Sequence, residues 1–519
     1  MKFIRRSNLN AQQRINIAIL AITCQGHYGA RTALALKYQI SRTFLYQLLN
    51  AALFCLSELF SVENNENIPY ARLDAIGMIV LLRLEGKVSI SGIDEILNQQ
   101  GYPHHSTGFV SQCLTSLGAS LPKTLITKEK RSVFLLADEI YASNIPILIS
   151  IEPKSTAILK IELADNRQAD TWDKHFRAIE DGNFNISGLC SDRGTGILGG
   201  FKSACPNTTW FSDHFHEFND LIKLSITLES QAYAAITYEY ERKLVLDNAK
   251  SESNKQKRIL QLDEATKDCT LKIQRYQHVA DVLGLLFPSL YFFDLQTSKL
   301  RRVVQVKETI LTLMDWLDEL DYPVLQAETN TIRSHIDDIC YCYKKSEEIY
   351  DTLSATIPEN VLSFAGLAWQ FDHQSYQYKG ERKKFYQIES QFYREIATSL
   401  LEEKTHETVI AEVSEIATSL FKEKTHEAVI AEIFDTFDDM NRASSLIEMV
   451  NSLIRPYLNS CKGQITQEHL NLIMFYHNHH KYKTGKRKGK APIEIIKEIK
   501  LEKHWLELLL DDAEKNRQK

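Results

Sequence analysis

Asp138, Asp192 and Glu448 are the residues of this 519-residue chain whose surroundings point to chemistry. Asp138 lies in a run that is apolar on both faces, with Phe134, Leu136 and Ile140 on one and Val133, Leu135 and Ala137 on the other, the pattern of a central strand. A carboxylate there is costly to bury unless it is paired or binds a metal. Asp192 ends a second apolar strand, Ile186 to Ser191, just before a glycine-containing turn. If the two strands are neighbours, their carboxylates come together, and like charges that close favour a divalent cation. A third acidic ligand is then expected from a helix packed on the sheet. Glu448 begins a stripe with Asn451 and Arg455 at i+3 and i+7, along one helix face. As a functional stripe it supplies a ligand and phosphate-holding residues. Each residue also has a plainer reading. Asp138 is then a strand-end carboxylate reached by water, Asp192 a helix cap, and the Glu448 stripe a solvated face.

The elements that must position these residues change character along the chain. Residues 132–141, 146–151 and 157–163 read as an antiparallel meander of three strands. A helix over 171–179, a strand over 186–191, a helix over 194–204 with glycines in its first turns, and a strand over 208–215 follow. From 217 to 440 the strand signal vanishes into helical periodicity, with 283–295 the most apolar stretch and expected to be buried. Within that span Glu395 to Ser414 and Glu415 to Phe434 match at 15 of 20 positions. Two copies are too few for a solenoid, so they read as a duplication within helical hairpins, with the polar run Glu402 to Thr408 as a turn. Helices are expected over 444–458, 466–478 and 492–510, followed by a frayed polar tail over 511–519.

The net charge of −6 conceals basic ends around an acidic middle. Residues 1–60 carry seven Lys/Arg and one acidic residue, residues 453–500 ten and three, and residues 217–440 25 and 39. Phosphate binding is local, so the ends can contact nucleic acid while the middle does not. Residues 30–52 have the form of a helix-turn-helix, with Gln39-Ile40-Ser41 as the turn and Ser41 as N-cap. Phe44, Leu45, Leu48 and Leu49 then turn inward, leaving Arg42, Thr43, Tyr46 and Gln47 where a recognition helix presents its base-reading side chains. Two ordinary helices are the alternative. A second helical unit spans about residues 71–121, and its His104-His105 turn has no Cys or carboxylate at metal-ligand spacing. The densest basic run holds Lys481, Lys483, Lys486, Arg487, Lys488 and Lys490. In a Gly-containing stretch these suit phosphates and not bases. Nine scattered cysteines without a Cys-x-x-Cys argue against a disulfide framework and a structural zinc site. No apolar run reaches the roughly 18–20 residues of a membrane helix, and no small-residue cleavage site follows the basic N-terminus. A cytoplasmic protein without membrane contact is expected.

LLADEIYA around Asp138, GLCSDRGTGILGGF around Asp192, WFSDHFHEF around Asp213, SSLIEMVNSLIRPYL around Glu448 and LNLIMFYHNHHKYKTGKRKGKAPIEI stand in an order that resembles a bacterial insertion-sequence transposase of the DDE superfamily. The resemblance implies an α/β RNase H-like core, a mixed five-stranded sheet with helices, joined to N-terminal helix-turn-helix domains and a large all-α insertion. It implies a helix-turn-helix domain over 1–60, a second helical domain over 61–130 and core over 131–216. The helical insertion follows over 217–440, the rest of the core over 441–500, and a C-terminal helix and tail over 501–519. It makes Asp138, Asp192 and Glu448 the ligands of two Mg²⁺ or Mn²⁺ ions about 3.5–4 Å apart. Asn451, Arg455 and the basic run then contact DNA. Asp213 and His216 match a Cys-or-Asp and His pair at this place, whose ordinary role is to hold the sheet edge and the next helix. The implied activity is cleavage and joining of double-stranded DNA at transposon ends and target, by a homodimer or larger oligomer associated with the bacterial nucleoid. The long span before Glu448 departs from compact members of the family. The alternative function is that of a domesticated DNA-binding protein or regulator without transposition.

Overall fold

In a computed structural model the described residues are 9–24, 27, 29–60, 74–410, 425–440, 445–461 and 465–517. The chain divides into two compact units, Met1–Ala71 and Arg72–Lys519. The first holds α1 (Ala11–Thr23), α2 (Ala30–Lys37) and α3 (Arg42–Phe60). Asn10 and Gln13 cap α1 reciprocally. Ser41 Oγ accepts from the Phe44 amide at 3.0 Å, starting α3 immediately after a turn in which Gln39 takes φ 48°. Ile17, Ala21, Leu34, Ala35, Ile40, Leu45 and Leu49 form the core of this unit.

The second unit is helix-dominated and contains one mixed five-stranded sheet. It opens with α4 (Ala75–Leu84), α5 (Ile90–Gln99) and α6 (Thr107–Ala119). Asp74, Ser89 and Ser106 each accept the third helical amide as caps. The sheet comprises β1 (Arg131–Ala142), β2 (Ile145–Ile151), β3 (Ile158–Leu163), β4 (Phe184–Ser191) and β5 (Thr209–Ser212), in the order β3-β2-β1-β4-β5. β1, β2 and β3 are antiparallel neighbours, while β4 runs parallel to β1 and β5 parallel to β4. α7 (Ala169–Asp181) and α8 (Thr195–Ala204) connect the parallel strands. The glycines at the start of α8 allow α7 to lie against it. A Cβ at Gly196 would stand 1.9 Å from the Arg167 carbonyl oxygen, and one at Gly200 2.4 Å from Trp172 Cβ.

β5 is shorter than the expected 208–215. The Asp213 carboxylate accepts from the Phe215 amide at 2.8 Å and starts α9 (His214–Asp247), so the cap ends the strand. Helices α10 (Glu252–Ser289), α11 (Val303–Asp318), α12 (Pro323–Ser334), α13 (Ile336–Ser354), α14 (Glu359–Ser375), α15 (Gly380–Ile410) and α16 (His426–Phe437) follow. α15 runs through the polar segment Glu402 to Thr408, so no turn forms there; residues 411–424 of the repeat lie outside the described residues. Over 283–295 burial follows the helical period: Leu283, Leu286 and Leu290 are buried, but Leu285 and Phe287 are exposed.

The chain then returns to the sheet with α17 (Ser445–Ser460) and α18 (Gln467–His479). α18 covers the edge strand β3 with side-chain amides. Gln467 bonds Leu163 N at 2.8 Å and the Ile161 carbonyl at 3.0 Å, and Asn478 bonds both backbone groups of Ile158. Those contacts satisfy groups that would otherwise template a further strand. The helix expected over 492–510 is two helices, α19 (Pro492–Lys497) and α20 (Trp505–Arg517), because Glu498 turns left-handed at φ 53°. α20 also carries helix through Asp511 to Arg517, where a frayed tail was expected. No helix among the described residues is long and apolar enough to cross a membrane.

Candidate active site

The parallel pairing of β1 and β4 sets Leu136 beside Cys190. Asp138 comes two residues later inside β1, and Asp192 two residues later, one past the end of β4, on chains that run roughly 4.8 Å apart where they pair. α17 packs against β1. From it Asn451, fully buried, donates Nδ2–H to Asp138 Oδ2 at 2.6 Å. Asp138 Oδ1 accepts from the Glu139 amide at 2.7 Å. Asp192 is exposed, and its Oδ1 accepts from the Gly194 amide at 3.0 Å, fixing the turn into α8. Glu448 lies one turn before Asn451, with Arg455 Nη2 3.4 Å from its Oε2.

Burial pushes the Asp138 carboxyl up from 3.8 to about 6. The negative charges of Glu448 and Asp192 add to the rise, and the bonds from the Glu139 amide and Asn451 hold it back. Both carboxylates are therefore within Coulombic reach of Asp138. The donors are hard oxygens, the type that suits Mg²⁺ or Mn²⁺, and buried Asn451 Oδ1 has no hydrogen-bond partner. In chemistry the set fits a hard cation. In spacing it is open: among the described residues no three His, Cys, Asp or Glu side chains are gathered closely enough to hold one ion.

Several residues stand differently from their expected roles. Asn451 is not a DNA-facing residue: it is enclosed between α17 and β1, and its amide is spent on Asp138. Arg455 remains half exposed. Asp213 is 1% exposed, caps α9, and donates its own amide to the Ser191 carbonyl at 3.2 Å; His216 Nε2 stands 3.8 Å from its Oδ2. The sequence reading missed Arg193 and Glu217. Arg193 lies over Trp210 at 5.0 Å, bonds Glu217, and reaches Asp338 at 3.1 Å. Glu217 in turn meets His335 Nδ1 at 3.0 Å. The network ties the segment after Asp192 to α9 and the start of α13. The only sequence signal was the position of Arg193 beside a strand-end Asp.

The basic segments also divide. In the first unit Arg42, Thr43, Tyr46 and Gln47 are all exposed on α3. Arg31 of α2, missed in the sequence, joins them 5.6 Å from the Tyr46 ring. Hydrogen bonds from Arg31 and then Arg42 hold the Tyr46 phenol below its ordinary value. In the second unit the run 481–490 is a closed loop and not a loose stretch. Tyr482 N bonds the Lys490 carbonyl at 3.0 Å, and Gly485 and Gly489 take φ 82° and 79°. Arg487 is pinned inward, donating to the Lys154 and Pro153 carbonyls at 2.8 and 2.6 Å. Lys486 pairs with Asp438 and Lys483 with Glu85. Lys481 is half-buried, while Lys488 and Lys490 are exposed. His105 of the histidine turn pairs with Asp94 at 3.0 Å.

No protein-family model matches the chain, and no curated protein matches it. Among solved structures it is similar to one described as the Drosophila P element transposase strand transfer complex, at 12% identity and a TM-score of 0.26, over 56% of this chain and 87% of that one. A likeness that slight carries no argument for fold or activity.

Proposed function

We propose that this protein is a DDE-type DNA transposase with an RNase H-like core, cutting and joining double-stranded DNA at Asp138, Asp192 and Glu448. The observation that carries the reading is that Asp138 lies within β1 and Asp192 just past the end of the adjacent parallel strand β4, with the Glu448 helix packed on β1 and the charges of Asp192 and Glu448 both felt at Asp138. The strand order β3-β2-β1-β4-β5 and the helical span between β5 and α17 support it further. Divalent ions, when bound, supply activation of a water or 3′-hydroxyl and stabilisation of the leaving oxygen. The chain's own residues prepare for that. Asn451 and the Glu139 amide fix both oxygens of Asp138, and the Gly194 amide orients Asp192. Arg455 is exposed beside Glu448, where it can hold a phosphate of the cut strand. α2 and α3 read as a helix-turn-helix whose Arg31, Arg42, Thr43, Tyr46 and Gln47 face DNA.

The test uses the full chain with supercoiled and end-containing DNA. Nicking should require Mg²⁺ or Mn²⁺ and fall to background in Asp138→Asn, while binding to element ends persists. Nicking at full rate by the variant, or by wild type in chelator, overturns the reading. Retained end binding without nicking by wild type would favour a domesticated DNA-binding protein.

A further inference from the structure

The long hairpin of α9 and α10 carries apolar surface on its outside. Near β5 its packing is ordinary, with Leu228, Ala232 and Ala235 of α9 buried, and Ala265 and Cys269 of α10 buried with them. Over residues 236–264 no side chain is buried. There the two helices hold each other: Thr266 Oγ1 donates to Glu239 at 2.7 Å, and Arg258 donates to the Val245 carbonyl at 2.6 Å. On α9, Ile226, Tyr233, Tyr240 and Leu244 recur at spacings of seven, seven and four, so they share one helix face. They are 58%, 65%, 61% and 43% exposed. A stripe at that spacing is a seam for another helix, and helices draw most of their stability from such packing.

Charge is graded along the same hairpin. The tip, residues 242–258, holds six Lys/Arg and two acidic residues, whereas the adjoining stalk, residues 224–241 and 259–270, holds six acidic residues and one lysine. Lys250, Lys255 and Lys257 of the tip are exposed, and among the described residues none of them forms an ion pair. We propose that the hairpin docks a second copy of this chain, the two hairpins lying side by side and antiparallel with Ile226, Tyr233, Tyr240 and Leu244 in the seam. Antiparallel overlap sets the basic tip of each copy on the acidic stalk of the other, and two-fold symmetry makes both contacts alike. Parallel overlap would oppose tip to tip and stalk to stalk, like charge against like. The face from Ile226 to Asp247 is about 33 Å long and two helices, about 20 Å, wide. The overlap therefore covers roughly 1,300 Å² over both partners, inside the roughly 1,200–2,000 Å² of a stable interface. DNA would meet the tip cations, but it would leave the apolar stripe uncovered and be repelled by the stalk. The proposal is independent of the reading of Asp138, Asp192 and Glu448.

The experiment is sedimentation velocity of the full-length protein over a concentration series without DNA, with thermal melting in parallel. Wild type should dimerise, and added salt should weaken the dimer. Tyr233→Glu combined with Tyr240→Glu should raise the dimer Kd more than about tenfold in a protein that still melts cooperatively, because like charges then meet in the seam. Reversing the tip with Lys255→Glu and Lys257→Glu should weaken the dimer several-fold, and so should reversing the stalk with Glu241→Lys and Glu264→Lys. All four reversals in one chain should restore it, since tip and stalk again attract in the antiparallel overlap and repel in the parallel one. A wild type that stays monomeric throughout the series overturns the proposal, as does a folded Tyr233→Glu, Tyr240→Glu protein with wild-type Kd. If that variant does not fold, failure of the four reversals to restore the dimer overturns it. A tip-reversed protein that dimerises like wild type but binds DNA more weakly also overturns it, and assigns the tip to phosphates. The dimer measurement uses neither DNA nor metal, so its failure is distinct from failure of the nicking test.

Discussion

Two polar clusters occupy opposite faces of the same sheet, one closed and one partly open to solvent. Ser150 stands opposite Ala137 of β1 and Lys160 of β3, so it faces α7, away from Asp138. There Ser150 Oγ meets His175 Nε2 at 3.0 Å, and His175 Nδ1 meets Glu162 at 3.3 Å. Lys160 Nζ reaches the same Glu162 oxygen at 3.2 Å. Spelled out, this is a Ser-His-Glu chain, the residue set of a nucleophilic triad. Yet Ser150 and His175 are 0% exposed and Lys160 only 6%, so no substrate can reach them. One cation offsets one carboxylate, and the imidazole bonds at both nitrogens. The cluster around Asp138 has the opposite balance: three carboxylates, a half-exposed Arg455 beside one of them, and an amide oxygen with no donor. Residue types alone would nominate the closed face. A closed, charge-balanced network is scaffold, whereas the unbalanced one around Asp138 keeps an acceptor that no donor of the chain satisfies.

The largest effect should come from breaking the closed cluster. Burial raises Glu162, but the bonds from His175 and Lys160 outweigh it and bring the carboxyl to about 2. Glu162→Gln removes the charge that Lys160 needs in the interior, so it should cost about 3–5 kcal/mol of stability in denaturant unfolding. A loss below 1 kcal/mol would show that the network is not the scaffold described. Three buried histidines set an acid limit. Burial lowers His175, and likewise His469 and His477, to about 4. The unfolded chain takes up these protons near 6.5, so the stability is present above that value and lost as pH falls toward 4.

The open cluster should show the reverse sign. Asp138 is raised from 3.8 to about 6, so the folded state binds this proton more tightly than the unfolded one. The resulting penalty is full above about pH 6 and relieved on the way down to about 4. Asp138→Asn should therefore stabilise the metal-free protein at pH 8 by up to about 3 kcal/mol, and most of the gain should vanish at pH 4. The introduced amide is accommodated because Asn451 can turn its unpartnered Oδ1 toward the new N–H. Destabilisation at pH 8 would mean that burial and the neighbouring carboxylates do not disfavour the Asp138 charge as described.

Much of this contrast was legible in the sequence because it is local. β1 shows as a run apolar on both faces, and Asp138 stands out as the carboxylate inside it. Asp192 shows as the residue where a second such run stops. The helical period from 217 onward foretells the long helices α9 and α10. What the sequence concealed depends on partners far along the chain. Asn451 reads as part of a polar stripe with Glu448 and Arg455, but its partner is 313 residues away. Arg487 reads as one more cation in a basic run, yet carbonyls of Pro153 and Lys154 capture it. The apolar periodicity of Pro492 to Leu510 continues across Glu498. The break comes from Glu494, whose carboxylate bonds the amides of Ala491 and Leu501, and from Arg131, which takes the Lys497 carbonyl. At Asp213 two local signals competed, and the helix cap overrode the strand pattern of Trp210 and Phe211.

The smallest effect sharpens the same distinction at the surface, in the loop 481–490. Lys488 and Lys490 are exposed there, whereas Arg487 is half-buried and bonded to backbone carbonyls. Burial holds the Arg487 guanidinium below its ordinary value, although it stays charged. Replacing Lys488 and Lys490 with Ala should weaken DNA binding for all sequences alike. It should also reduce the slope of log K against log salt by at most about 1.8, since each phosphate contact contributes about 0.9. Arg487→Ala should leave that slope unchanged, because the side chain reaches no phosphate. It should instead lower stability by roughly 1.5–3 kcal/mol, the range for hydrogen bonds to a charged group. Filter-binding titrations from low to moderate salt, paired with denaturant unfolding, separate the two. A flattened slope in Arg487→Ala at unchanged stability would place that side chain on DNA and undo the division between pinned and exposed cations.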